Sequence, residues 1–239
     1  MDSNHMHLTI SGVPISIKNK SQLCRLIWDH MDAGLQMVPV VTFNITMFGL
    51  HSKSLLMWLK QQGIFTPDGI GISILLYLRY RQWVPRYAGI DMVSDVLAQT
   101  NQSYRVALIG ASSEALAGAS KWVQSKGHSV VFLKDGYTQM TPEDFSQLQQ
   151  VNPHLILVAT GCPSQDQLIY DIASHGVTSV CIGVGGAFDV WSGTKTRAPK
   201  IMCKWGLEWL YRCVQEPFRV ARIWRAICAL LFNMLFVKE

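Results

Sequence analysis

Along most of this chain, apolar runs of strand length alternate with stretches whose apolar residues recur at helical spacing. The segments 38–43 (VPVVTF), 104–110 (YRVALIG), 129–133 (SVVFL), 154–160 (HLILVAT) and 179–184 (SVCIGV) are rich in β-branched and aliphatic residues and read as strands. MHLTI near the start reads as a shorter one. Between them, 21–31, 45–61, 90–100, 142–151 and 164–174 read as helices, and TPDGIGI (66–72) reads as a turn that opens another. Ser112 or Ser113 suits the N-cap of a helix after Gly110. Strands this uniformly apolar need cover on both faces. The pattern therefore predicts an α/β fold, a mostly parallel sheet with helices on both faces.

In open α/β sheets, ligands bind beyond the carboxyl ends of the strands. The polar and glycine-rich pieces fall there: TFN, IGASS, ATGCPSQDQ and GVGGAFD. Their placement supports a nucleotide or other phosphate ligand and names none. IGASSEALAG lacks G-x-G-x-x-G, and only Gly110 is placed for a tight turn, so the usual NAD site is disfavoured. In GVGGAFD, Gly183, Gly185 and Gly186 follow a strand, with Asp189 behind. The cluster reads equally as a close approach of backbone N–H groups to a ligand and as a tight turn with a capping aspartate. Asp68, in TPDG, is either an ordinary turn aspartate or a carboxylate placed to take a proton from a hydroxyl. There is no D-x-D to hold a divalent metal. The charge of a diphosphate must then be met by arginine, lysine or helix N-termini, with Arg86 and the arginines of the tail available. No metal and no cofactor is assigned.

A length of 239 residues, 49% of them apolar, allows one large domain, or one domain with a short appendage. Only 15% are charged, so either the core is large or some apolar surface faces something other than water. The net charge of +5 is unevenly spread: residues 195–239 hold nine Lys/Arg against three Asp/Glu, and the rest is close to neutral. A basic tail attracts nucleic acid or anionic lipid. The six cysteines include no C-x-x-C pair, and no Cys/His cluster has zinc-site spacing, which fits reduced thiols in a reducing compartment. The start of the chain lacks the charged-then-apolar pattern of a signal peptide. The most apolar stretch, 226–237, falls short of the about 20 residues needed to span a bilayer.

Taken in order, VVTFN, TPDGIG, RYAGIDMVSDVL, DGY, GCPSQ, IGVGGAFDVWSGTKTRAPK and GLEWLYRCVQEP resemble the successive signatures of the WecG/TagA/CpsF glycosyltransferases, over roughly residues 8–225. The resemblance implies a Rossmann-like catalytic domain, residues 1–194, and a membrane-targeting C-terminal appendage, residues 195–239. It implies transfer of a sugar from a UDP-sugar to an undecaprenyl-diphosphate-linked acceptor in cell-surface polysaccharide synthesis, with inversion; that no metal takes part is expected from the missing D-x-D. Residue by residue, it puts the threonine and asparagine of V-T-x-N on Thr42 and Asn44, and the proposed base of P-D-G on Asp68. Arg86 matches the arginine ahead of the G-x-D segment, which holds Asp91. Tyr137, Gln165 and Asp189 match residues expected to help hold the nucleotide-sugar, beside Gly185 and Gly186. Arg212, Arg219 and Arg222 are expected to offset diphosphate charge. Three departures stand near this site. Asn-Pro-Glu reads Asn44-Ile45-Thr46, P-K-Q-E reads Pro163-Ser164-Gln165-Asp166, and T-G-T/I-D reads Ala88-Gly89-Ile90-Asp91. They leave the donor open between a hexose and an N-acetylhexosamine type. Two rivals stay open: an inactive membrane-associated binding protein of the same fold, and an NAD(P) enzyme acting on sugar nucleotides.

Pro217 suits the first turn of a helix. At a helical period, Val220, Ile223, Trp224, Ile227, Leu230, Leu231 and Met234 share one face about 120° wide, with Arg222 and Arg225 opposite. An apolar face with basic flanks and a tryptophan describes a helix lying in a membrane interface; the plainer reading is a helix packed on the core or in a subunit contact. The apolar residues outnumber the basic ones, which argues against nucleic acid. The expected partners are a UDP-sugar, a lipid-diphosphate-linked acceptor and the inner face of the cell membrane, with a homo-oligomer left open.

Overall fold

The computed structural model describes residues 7–10, 12–47, 50–217, 220, 221, 223–225 and 228. Six strands form a parallel sheet: β3 (Val38–Phe43), β4 (Ile64–Pro67), β5 (Arg105–Gly110), β6 (Ser129–Lys134), β7 (Leu155–Ala159) and β8 (Val180–Gly183), in the spatial order β4-β3-β8-β7-β5-β6. An antiparallel hairpin, β1 (His7–Ile10) and β2 (Val13–Ser16), forms a separate two-stranded sheet that packs against the β3–β4 end of the larger one.

The helices are α1 (Lys20–Ala33), α2 (Lys53–Gln62), α3 (Ile70–Tyr80), α4 (Gly89–Ala98), α5 (Ser113–Ser125), α6 (Pro142–Val151), α7 (Ser164–Ser174), α8 (Ala187–Trp191), α9 (Lys200–Lys204) and α10 (Glu208–Gln215). Side-chain alternation along the central strands sends Val106, Leu108, Leu155, Leu157, Val180 and Ile182 into a core with α1, α4 and α5. The residues between them, Ala107, Ile109, Ile156, Val158 and Cys181, enter a second core with α6 and α7. A third core joins Val41, Phe43 and Phe65 to the hairpin, α2 and α3. Every residue of β3, β7 and β8 is buried, which is why these strands lack the polar alternation of a sheet wetted on one face. β6, at the sheet edge, is partly exposed.

The expected mostly parallel α/β sheet is thus present. Three local readings change. The helix expected over 45–61 is a 3₁₀ turn, Ile45–Met47, and the separate helix α2, because the Ser52 side chain accepts from the N–H of Leu55 and starts the helix there. The turn at 66–72 contains the end of an edge strand, β4, too short to show a period of two. The strand in MHLTI is one arm of a hairpin whose other arm, β2, was not anticipated.

Candidate active site

A cavity of about 440 Å³ opens at the carboxyl ends of β4, β3, β8 and β7, and residues from α10 and the tail close it. Thr42 and Asn44 enter it from the end of β3, Asp68 from the end of β4, Gln165 from the first turn of α7, and Gly185 and Gly186 from the turn after β8. Arg86 and Arg212 complete the charged wall.

Strand pairing places Asp68. β4 runs parallel to β3, and the Asp68 N–H donates to the carbonyl of Phe43 at 2.7 Å, so its side chain emerges beside Asn44 at the sheet's edge. The carboxyl opens on the cavity but is otherwise surrounded by protein. Burial pushes its pKa up to about 6; Arg212 opposes the rise, Glu208 adds to it, and Arg86 and the Gly69 N–H hold it back. A carboxyl tuned toward neutrality in a cleft is what a general base needs.

The opposite wall is built around Gln165. Its side-chain oxygen accepts from the Gly185 N–H at 3.2 Å, and a Cβ on Gly183 would come within 2.4 Å of its amide nitrogen, so a larger residue there would displace the Gln165 amide from this position. Gly185 has φ +51°, which glycine adopts without strain. The Thr42 hydroxyl donates to the Gly183 carbonyl at 3.3 Å and ties the ends of β3 and β8 together.

Helices α3, α4, α7 and α8 all begin at this cavity, at Gly69, Ala88, Pro163 and Gly186, and none has a side-chain cap. Some of the first N–H groups are met by the chain itself, Gln165 by the Gly161 carbonyl and Ala187 by the Val184 carbonyl. The positive ends of the four dipoles still lie beside a space with arginines on its rim, which favours an anionic ligand. Glu208, which sequence reasoning missed, organises those arginines. It is buried, with Arg212 at 2.6 Å, Arg197 at 3.6 Å and Arg86 at 4.0 Å. Arg86 also donates to the Cys203 carbonyl. The one local signal was the Glu208/Arg212 spacing of four in LEWLYR.

The remaining expected residues lie elsewhere. Asp91 is gripped by Arg197 through two hydrogen bonds of 2.6 and 2.7 Å; burial alone would raise its pKa, but that guanidinium holds it below the usual carboxylate range. It does not line the cavity, and it is linked to the cavity wall through the Arg197–Glu208 contact and through the charge of Arg86. Asp189 faces a neighbouring cavity of about 40 Å³ that shares Gly186 and Arg212 with the first, and it pairs with Lys195 at 3.1 Å. Tyr137 is 85% exposed in the loop after β6 and does not line the cavity. Arg219 and Arg222 lie outside the described residues, as do Ile227, Leu230, Leu231 and Met234. Gly110 and the IGASS turn are not part of the cavity wall: a Cβ on Gly110 would meet the backbone of Ala159, so this glycine allows two strand ends to approach. Of the three departures, Ile45, Ala88 and Ile90 line the cavity, while Asp166 turns away to His51 at 2.8 Å.

α10 is inverted relative to an ordinary surface helix. Glu208, Arg212 and Cys213 face inward, and Leu210 and Val214 are exposed. Trp205 before it and Val220 and Trp224 after it are exposed too, whereas Ile223 lines the cavity. Among the described residues, no helix is long and apolar enough to cross a membrane.

An open parallel sheet with a charged crevice at its carboxyl edge, a buried carboxyl and uncapped helix starts defines an α/β protein whose crevice suits an anionic ligand. The chain belongs to the glycosyl transferase WecG/TagA/CpsF family, whose model matches residues 8–239. It is 30% identical over 220 residues to the N-acetylglucosaminyldiphosphoundecaprenol N-acetyl-beta-D-mannosaminyltransferase of Bacillus subtilis (strain 168), covering 90% of this chain and 86% of that protein. It is also 30% identical over 168 residues to the protein of the same name from Bacillus spizizenii (strain ATCC 23059 / NRRL B-14472 / W23), covering 69% and 65%. The general reaction of this chain is therefore glycosyl transfer.

Proposed function

We propose that this chain moves a hexose- or N-acetylhexosamine-type sugar from a UDP-sugar to an undecaprenyl-diphosphate-linked acceptor, with inversion, without a metal and with Asp68 as general base. The observation that carries the reading is the Asp68 carboxyl, raised to about 6 and set in a cavity rimmed by Arg86, Arg212 and four uncapped helix starts. The printed names of the two Bacillus relatives supply the lipid-linked acceptor. The Asp68 carboxylate takes the acceptor hydroxyl's proton as that oxygen bonds to the anomeric carbon. The bond from the anomeric carbon to the diphosphate oxygen breaks, and UDP leaves with the electron pair. Arg86, Arg212 and the helix N-termini offset the charge that develops there. Thr42 and Asn44 orient donor or acceptor, and Gln165 with Gly185 and Gly186 forms the floor for the nucleotide-sugar. Arg219 and Arg222, outside the described residues, are assigned the same charge-offsetting role in this reading.

In the same proposal, residues 195–239 form an appendage that both closes the site and docks on the inner face of the cell membrane. The outward Leu210, Val214, Val220 and Trp224 support it, since burying apolar surface at an interface contributes about 25 cal/mol per Å². The test is incubation of the full chain with membranes carrying the lipid acceptor and a panel of UDP-sugars. One donor should release UDP and give a lipid-linked product; no release with any donor would sink the reading. Sedimentation with anionic liposomes, with and without residues 217–239, tests the docking, which should fall sharply on truncation.

A further inference from the structure

The junction of β7 and α7 carries a second group of chemically active side chains that transfer does not use. Cys162 is on the cavity wall, Asp166 lies in the first turn of α7, and His51 reaches both from the segment just ahead of α2. His51 Nε2 is 2.8 Å from Asp166 Oδ2 and 3.9 Å from Cys162 Sγ, and the three donor atoms all lie within 4.8 Å of one another. The side chains of His51 and Asp166 are 3% and 1% exposed.

A thiol, an imidazole and a carboxylate this close suggest either a nucleophile relay or a cation site. In a relay, the carboxylate holds one ring nitrogen while the other faces the nucleophile. Here carboxylate and thiol approach the same nitrogen, so the ring cannot pass a proton between them. Three donors converging on one point are instead the arrangement of ligands around an ion. A tetrahedral zinc, with bonds of about 2.0–2.3 Å to nitrogen, oxygen and sulfur, sets neighbouring donors roughly 3.3–3.6 Å apart. The 2.8 and 3.9 Å separations bracket that range, and the third pair, Cys162 and Asp166, lies within 4.8 Å, so modest side-chain shifts bring the set to it. The donor set selects the ion. Magnesium and calcium prefer oxygen-only shells, whereas thiolate with imidazole and carboxylate suits a softer divalent ion such as zinc. A cation would also compensate a carboxylate that the fold has taken out of water.

We propose that His51, Cys162 and Asp166 bind one divalent cation of the zinc type, with a fourth position, on the side of Cys162, taken by water or a ligand oxygen. The ion pins the segment ahead of α2 to the β7–α7 turn, which borders the cavity. It is separate from the chemistry of Asp68 and has no part in neutralising the diphosphate. The proposal stands or falls independently of the transfer reading.

The test uses the full chain, stripped of metal with a chelator and then titrated with Co²⁺ and with Zn²⁺ alone. One equivalent of Co²⁺ should bring up a thiolate-to-metal charge-transfer band, and Zn²⁺ should displace it. Cys162→Ser should abolish the band and weaken Zn²⁺ binding by roughly tenfold or more; His51→Gln and Asp166→Asn should weaken binding on the same scale. Cys228→Ser, which removes an exposed thiol, should leave the band intact. If His51→Gln or Asp166→Asn fails to fold, the wild-type spectrum and Cys162→Ser still decide, because replacing sulfur by oxygen at the cavity wall barely alters shape. Absence of the band at one equivalent, or a band that survives Cys162→Ser, would overturn the proposal.

Discussion

The β5–α5 and β7–α7 junctions look alike in the chain: each runs from a buried strand through a glycine into a helix, with a serine near the start. They differ in what the first turn faces. At β5–α5, Ser112 accepts from the Ala115 N–H at 3.2 Å, and the helix start is sealed by its own side chain. At β7–α7, Pro163 offers no such bond, Gly161, Cys162 and Gln165 line the cavity, and the buried Asp166 turns to His51. The same contrast runs through the molecule. Asn19, Ser52 and Thr141 cap α1, α2 and α6, whereas α3, α4, α7 and α8 open uncapped on the cavity. A capped start stabilises the fold; where an uncapped start borders the cavity, its dipole is left to favour an anionic ligand, whereas the uncapped start of α9 lies away from the cavity wall.

The contrast can be broken most severely at the start of α3. Asp68→Asn keeps the shape and removes the proton acceptor, so turnover should drop by about 10²–10⁴ while UDP binding stays within a few-fold. Single-turnover kinetics beside a UDP titration reads both, and near-normal turnover would remove Asp68 from the role. The pH profile follows from the same group. The base must be ionised, so kcat/KM should fall roughly tenfold per pH unit below its pKa. The acid limb should centre on about 6. A limb in the ordinary carboxylate range would disconnect the burial of Asp68 from catalysis.

Arg212→Ala comes next in size. Hydrogen bonds to charged groups contribute about 1.5–3 kcal/mol, so kcat/KM should fall by roughly 10- to 150-fold. Steady-state kinetics with a UDP-sugar would show this, and an unchanged value would take the charged rim out of the reaction. The smallest effect belongs to the sealed side. Ser112→Ala should lower stability by about 1 kcal/mol in urea melts and leave transfer at the wild-type rate. A large loss of activity there would erase the distinction between capped and open starts.

Much of this was legible locally. The parallel sheet could be read from β3, β5, β7 and β8 because strands buried on both faces are apolar throughout, and Ser112 could be read as a cap because capping needs only three residues. The segments that escaped were short or at edges. β4 has four residues, and a helical reading of 45–61 could not see where Ser52 would restart the chain. For the site, motif matching selected Thr42, Asn44, Asp68, Arg86, Gln165, Gly185, Gly186 and Arg212, which the fold gathers around one cavity, but also Tyr137, Asp91 and Asp189, which it does not.

The sequence by itself determined the layered sheet, the strand ends where polar loops collect and the family, because each rests on patterns within a few residues or on motifs in fixed order. Only the tertiary structure decided how those loops meet. The raised pKa of Asp68 depends on burial and on Arg212 and Glu208, more than a hundred residues further along the chain. Glu208 gathers three arginines only when α10 folds back over the cavity, and His51 meets Cys162 and Asp166 only when α2 and α7 are brought side by side. Spacing rules for metal ligands and acid–base pairs count residues along one segment, whereas electrostatic and coordination energies depend on distance in space, and that distance is set by the packing of the sheet.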